Sequence, residues 1–86
     1  MVVEGRLYSA NKILVIKTAE FSDPSLSFSL ELGEALVALC KVMDISVPLW
    51  LSKNTHEFAQ FHSTNFNADQ FSESVSFDRF QFKMLK

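Results

Sequence analysis

The stretch VVEGRLYSANKILVIKTA, residues 2–19, decides the fold of this chain of 86 residues. Two runs of β-branched and apolar residues, Val2 to Tyr8 and Ile13 to Ala19, flank the polar segment Ser9 to Lys12. Such runs joined by a short polar turn are typical of a β-hairpin. The second run is apolar on both faces for part of its length, which predicts a central strand and places the first strand nearer an edge.

A long helix is predicted after the hairpin, from about Pro24 to Asp44. Asp23 suits the N-cap and Pro24 the first helical position. Apolar and polar residues alternate between Ser25 and Leu32, so this first part is open between strand and helix. Farther along, helical spacing predicts an apolar stripe that packs on the sheet, formed by Leu32, Ala35, Leu36, Leu39, Cys40 and Met43.

Two short helices are predicted in the second half of the chain. The first begins near Asn54, because Asn54 and Glu57 have the N-cap and N3 spacing of a capping box. It carries two phenylalanines on one face, Phe58 and Phe61. The second runs from Ala68 to about Val75. Its start combines a capping box with a hydrophobic staple, formed by Asn67 with Gln70 and by Phe66 with Phe71.

A last strand is predicted where Phe80, Phe82 and Met84 alternate with polar residues. The chain is therefore predicted to be a single α+β domain over residues 1–86. The hairpin and the C-terminal strand form a small antiparallel or mixed sheet, packed against one long helix and two short helices. Pairing of the last strand with the hairpin is the most economical arrangement.

Composition restricts the functional classes. The formal net charge is −2, which provides little attraction for nucleic acid. Cys40 is the single cysteine, so no intramolecular disulfide forms and a cytoplasmic location is predicted. No run approaches the roughly 18 uncharged apolar residues of a membrane span, and no membrane association is expected.

Three segments carry a resemblance to a known group of proteins. VPLWLSKNTHEF (residues 47–58), DQF (69–71) and FDRF (77–80) resemble a small bacterial family of uncharacterised proteins. The resemblance covers roughly the C-terminal half and implies a compact intracellular domain. It implies no activity, ligand or catalytic residue for these positions.

Candidate catalytic and metal-binding residues have simpler structural interpretations. His56 and His62 are six positions apart, whereas a pair of metal ligands on one helix prefers four. Asp69 and Glu73 suit the dipole at the start of a helix. No nucleophile elbow or phosphate-binding glycine loop is present, so neither an enzyme nor a cofactor or metal site is expected.

The alternative function is nucleic-acid binding by a degenerate helix-turn-helix. Leu36 to Leu51 can be interpreted as a helix, a turn and a second helix opening at Pro48. The residues facing a groove would then include Leu49 and Trp50 in place of Arg, Asn or Gln.

The favoured hypothesis is a small non-enzymatic domain that acts through homodimerisation or through binding of a protein partner. A small sheet leaves free edges, and the low net charge does not oppose association. The candidate interaction residues are Trp50, Lys53 and Leu49, which lie around a Pro-bounded segment where a large aromatic side chain can be half exposed. Whether Trp50 belongs to the core or to a contact surface is open at this stage.

Overall fold

A computed structural model describes all residues from Met1 to Lys86. Its elements, in chain order, are β1 (Val2–Ser9), β2 (Lys12–Glu20), α1 (Phe28–Met43), α2 (Ser52–Phe61), β3 (Ser63–Asn67), a 3₁₀ turn (Ala68–Gln70) and β4 (Arg79–Met84). The four strands form one antiparallel sheet in the order β2-β1-β4-β3. The α+β class is confirmed, and so is the pairing of the last strand with the hairpin.

The hairpin is confirmed, but the predicted positions of its two strands are wrong. β1 is central, because β4 pairs along its other side, whereas β2 forms an edge. The cause is the phenylalanine-rich β4, whose buried residues pack beside the inward residues of β1. The apolar run of β2 stays largely exposed, and the side chain of Ile16, for example, is 48% exposed.

The hairpin closes through a two-residue turn at Ala10 and Asn11. Their φ angles are +51° and +64°, the pair of positive values that a type I′ turn requires. The Ala10 N–H donates to the carboxylate of Asp78 at 2.7 Å, which ties the turn to the segment leading into β4.

α1 begins four residues later than predicted, at Phe28 instead of Pro24. The Asp23 carboxylate does accept from the hydroxyl and the N–H of Ser25, as a cap would, but only a turn follows, closed by the Leu26 N–H on the Asp23 carbonyl at 3.1 Å. Ser27 takes the N-cap position, and its side chain accepts from the N–H of Leu30. The predicted apolar stripe is confirmed in full, since all six of its residues are buried.

α2, in contrast, begins earlier than predicted, at Ser52, with Leu51 as its N-cap. Asn54 is therefore the third helical residue and not the cap, and its side-chain oxygen accepts from the N–H of Leu51 at 2.9 Å. The inward face of α2 carries Asn54 and Phe58, both buried. Phe61, which was predicted on the same face as Phe58, is not part of the core, because its side chain is 62% exposed.

The third predicted helix is wrong. The capping contact exists, since the Asn67 N–H donates to the side-chain oxygen of Gln70 at 3.0 Å, but only a 3₁₀ turn follows. Phe71 is already extended there, and its ring packs against Phe77 at 5.2 Å and Phe80 at 6.5 Å between centroids. This burial of Phe71 favours the extended chain over a helix.

The core lies between one face of the sheet and the two helices. Phe66, Phe80 and Phe82 are fully buried on that face. The opposite face is partly exposed and mixed in character: the Arg6 side chain is paired to Glu4 at 2.8 Å, and Ile16, the cross-strand partner of Arg6, is exposed. The molecule therefore has two layers and one sheet face that no helix covers.

Candidate functional site

An apolar groove separates α1 from α2. Its volume is about 580 Å³, and the segment that joins the two helices closes one side of it. The lining residues are Phe28, Ser29, Leu32, Gly33, Leu36, Val47, Pro48, Trp50, Thr55, Phe58 and Ala59. We call this feature the α1/α2 groove.

The wall from α1 alternates large and small side chains. Phe28, Leu32 and Leu36 repeat at helical spacing and face the groove, with Ser29 and Gly33 beside them. A Cβ added at Gly33 would meet no atom within 4 Å. Gly33 therefore leaves space on the groove side of the helix that almost any other residue would occupy.

Trp50 forms the floor of the groove. Its ring lies 5.6 Å from Phe66, 6.1 Å from Phe58 and 6.4 Å from Phe82, measured between centroids. The indole N–H donates to the hydroxyl of Thr55 at 2.8 Å. Trp50 is thus held by the core on one side, while it lines the groove on the other.

The chemistry of the groove suits binding of nonpolar groups. None of its lining residues carries a titratable side chain. The polar side-chain groups of the lining are the indole N–H of Trp50 and the hydroxyls of Ser29 and Thr55. The Thr55 hydroxyl already accepts the hydrogen bond from the indole N–H. A general acid or base is therefore absent from the lining, and apolar contact is the main interaction that the groove offers.

The other two candidate interaction residues lie outside the groove. Leu49 is 63% exposed, and its backbone N–H and C=O are bonded to the backbone and the side chain of Gln70. Lys53 is half-buried on α2, and its positive charge contributes to the lowered pKa of the Glu57 carboxyl. Of these three residues, only Trp50 lines the groove.

A buried polar cluster joins α2 to β3. The side-chain nitrogen of Asn54 donates to the Thr64 hydroxyl at 2.7 Å and to the backbone oxygen of Asn65 at 3.0 Å. The Thr64 hydroxyl in turn donates to Glu57 at 2.6 Å. Gln70 completes the cluster, with its side-chain nitrogen 3.0 Å from the side-chain oxygen of Asn54.

This cluster has a structural role. Asn65 lies on the free edge of β3, where its C=O accepts from Asn54 and its N–H donates to Glu57 at 3.4 Å. Side chains of α2 therefore occupy the positions that a fifth strand would take. The hydrogen bond from Thr64 is the main reason that the pKa of Glu57 lies below its ordinary value.

The remaining chemically active side chains are not gathered into a site. His56 is exposed on α2, and His62 is exposed at its left-handed C-cap with φ at +55°. No three His, Cys, Asp or Glu side chains come together in a metal-binding arrangement. Burial raises the pKa of the Cys40 thiol to about 12, so the thiolate is scarce at neutral pH.

The connection between α1 and α2 departs from the helix-turn-helix interpretation. α1 ends at Met43, and its C-cap Asp44 is left-handed with φ at +57°. Residues 45–51 are not helical, and α2 begins at Ser52 instead of Pro48. A helix-turn-helix has a turn of about three to four residues, which is shorter than this connection.

Gly33 is a signal in the sequence for the position of the groove. Gly33 stands inside a helical pattern, where glycine is about 1 kcal/mol less favourable than alanine. Such a residue often marks a position where a side chain would obstruct contact, and here it borders the groove.

None of the helices has both the length and the apolar character needed to cross a membrane. Comparison of the chain with protein-family models, with curated proteins and with solved structures finds no match in any of the three.

Proposed function

We propose that the chain is a small non-enzymatic interaction domain whose α1/α2 groove binds an amphipathic helix of a protein partner. The observation that carries the proposal is the lining of the groove, which is apolar and without a titratable group. Large apolar side chains of a partner helix, spaced at i, i+3, i+4 and i+7, suit a hydrophobic groove between two helices.

The open rim of the groove favours a helix over a small apolar ligand. Phe28 is 56% and Val47 is 47% exposed, so a ligand held between them would keep one side in water. Small-molecule sites usually bury about 70–90% of the ligand surface. An amphipathic helix needs only one face covered, and its polar face remains in solvent.

The apolar surface also continues beyond the groove along α1. Leu30 and Val37 flank Gly33 at helical spacing and are 62% and 41% exposed. A contact surface of this length exceeds the reach of a small ligand. We place the domain in the cytoplasm, in keeping with the free thiol of Cys40.

Selection from a displayed library of amphipathic helical peptides, with Leu or Phe on one face, tests the proposal. Binding of a selected peptide should change the emission of Trp50, the only tryptophan of the chain and part of the groove floor. Affinity and emission are then measured on variants of Gly33, where added atoms meet no neighbour within 4 Å.

Gly33→Leu fills part of the groove and should weaken peptide binding by at least about tenfold, as the loss of one buried apolar anchor does. Gly33→Ala is the matched control, because it adds the same helix propensity but only one carbon, and it should bind within about threefold of the wild type. Equal affinity of the wild type and Gly33→Leu would contradict the proposal, and so would a library that yields no peptide affecting Trp50.

A further inference from the structure

We propose that β2 is a homodimer interface, in which the β2 strands of two copies pair antiparallel about a two-fold axis that passes between their Ile16 residues. β2 contributes no residue to the α1/α2 groove. The inference is therefore independent of the proposed helix binding.

The two edges of the sheet differ in how the chain treats them. At β3, the peptide group of Asn65 is bonded to Asn54 and Glu57 of α2. β2 spans nine residues and pairs only with β1. No side chain of the molecule bonds to its outer peptide groups, so β2 is the edge that is open to a further strand.

Hydrogen bonds of β1 show which peptide groups of β2 point outward. The carbonyl oxygens of Val2 and Tyr8 accept bonds from residues on the β4 side. Peptide groups alternate in direction along a strand. The peptide groups of Val3, Gly5 and Leu7 therefore point away from β4 and bond to β2.

The register then identifies the outward groups of β2. The β2 partners of the residues of β1 that bond toward it are Val15, Lys17 and Ala19. Ile16 and Thr18 lie between these partners, so their N–H and C=O groups point away from the sheet. A second copy of β2 can bond to them without breaking any bond of the monomer.

The side chains of β2 are also suited to association. Ile13, Leu14 and Ile16 are 46%, 52% and 48% exposed. These three large apolar side chains share the unpaired edge strand with the charged residues Lys12, Lys17 and Glu20, and charges alone are the usual protection of an exposed edge. Pairing with a second copy would cover them.

Charge selects the register of the pair. A symmetric antiparallel pair places one residue opposite its own copy. Centring on Lys17 would oppose two ammonium groups, whereas centring on Ile16 opposes two apolar side chains and overlaps the whole strand. Lys12 of each copy then comes to the end of the interface where Glu20 of the other copy lies. The register of β2 with β1 skips Leu14, two positions from Ile16, so the pair is regular close to the axis and the bulge at Leu14 lies farther out in the interface.

The oligomeric state tests the interface. Sedimentation or light scattering on the wild type at high micromolar concentration should show a dimer. Ile16→Lys puts two charges on the axis and should give a monomer with the same circular dichroism. Phe61→Lys removes an apolar side chain that is even more exposed, at 62% against 48% for Ile16, and that lies outside β2, so it should leave the dimer intact. A monomeric wild type, or a dimer that Ile16→Lys does not weaken more than Phe61→Lys, would overturn the proposal.

Cysteine cross-linking tests the register. Ile16→Cys faces its own copy in the proposed dimer, so mild oxidation should join two chains. Thr18→Cys is the matched control on the same edge, because its copy lies about 13 Å away along the strand, beyond the reach of a disulfide. Cys40 is buried and does not interfere. Ile16→Cys should cross-link at least about tenfold faster than Thr18→Cys. Equal or reversed rates, or no cross-linking, would overturn the Ile16-centred pair.

Discussion

Gly5 and Gly33, the only two glycines of the chain, have opposite surroundings. Gly5 lies in the central strand β1, and a Cβ there would come within 2.5 Å of the sulfur of Met43 and 2.8 Å of the ring of Phe80. Around Gly33, by contrast, no atom lies within 4 Å of such a Cβ. Neither glycine has a positive φ, so available space decides what a side chain would do.

The same substitution at these two positions should change stability in opposite directions. Gly5→Ala forces α1 away from β1 and should lower the free energy of unfolding by about 1–3 kcal/mol. Gly33→Ala improves helix propensity without a clash and should raise it by about 1 kcal/mol. Urea denaturation at one fixed protein concentration measures both. Equal stability of Gly5→Ala and the wild type would show that β1 and α1 are not packed this closely.

At the scale of elements, α2 stabilises the sheet through polar contacts as well as through Phe58. Glu57 accepts from the Thr64 hydroxyl at 2.6 Å, and this bond lowers the pKa of its carboxyl. A carboxyl with a lowered pKa in the folded state adds stability above its unfolded pKa. The contribution is lost as the pH falls through the folded value.

This linkage predicts a pH-dependent difference between the wild type and Glu57→Gln. At neutral pH the wild type should be the more stable of the two, because the charged carboxylate accepts from Thr64 more strongly than an amide does. Below the ordinary glutamate pKa of 4.5 the difference should shrink as Glu57 takes up its proton. Urea midpoints of both proteins between neutral and acid pH measure it. A difference that stays constant or widens toward acid would contradict the contact.

The elements that the sequence predicts well are those with a strong apolar period. All six residues of the α1 stripe are buried, and the residue bounds of the two hairpin strands and of β4 lie close to the predicted bounds. β3 was not predicted, because only Thr64 and Phe66 of STNFN face the core and the other residues are Ser or Asn, which are poor strand formers.

Other errors arise where distant contacts override a local pattern. The capping residues at Asn67 predict a helix, but burial of Phe71 extends the chain. The apolar run of β2 predicts a central strand, although residues far away in β4 take that side of β1. The groove needs α1 and α2 at a particular separation, which local periodicity does not specify. Only Trp50 of the site could be named from the sequence.

At the scale of the whole molecule, the sheet joins the two ends of the chain. β1 and β4 pair side by side, and the N–H of Val2 donates to the carbonyl of Lys86 at 2.9 Å. The two proposed contact surfaces lie on different elements, the α1/α2 groove and β2. A dimer formed through β2 would therefore carry two grooves, each free to bind a partner helix.

Amide hydrogen exchange should distinguish the outward amides of β2 from those that are bonded to β1. In a monomer, the amides of Val15, Lys17 and Ala19 are bonded to β1 and should exchange slowly, whereas those of Ile16 and Thr18 face water and should exchange fast. Raising the protein concentration should protect Ile16 and Thr18 and leave the other three unchanged, since dimerisation covers only the outer groups. The Asn65 amide on β3 is bonded to Glu57 and should not respond to concentration. Alternation without any concentration dependence would support the monomer fold but contradict the β2 dimer.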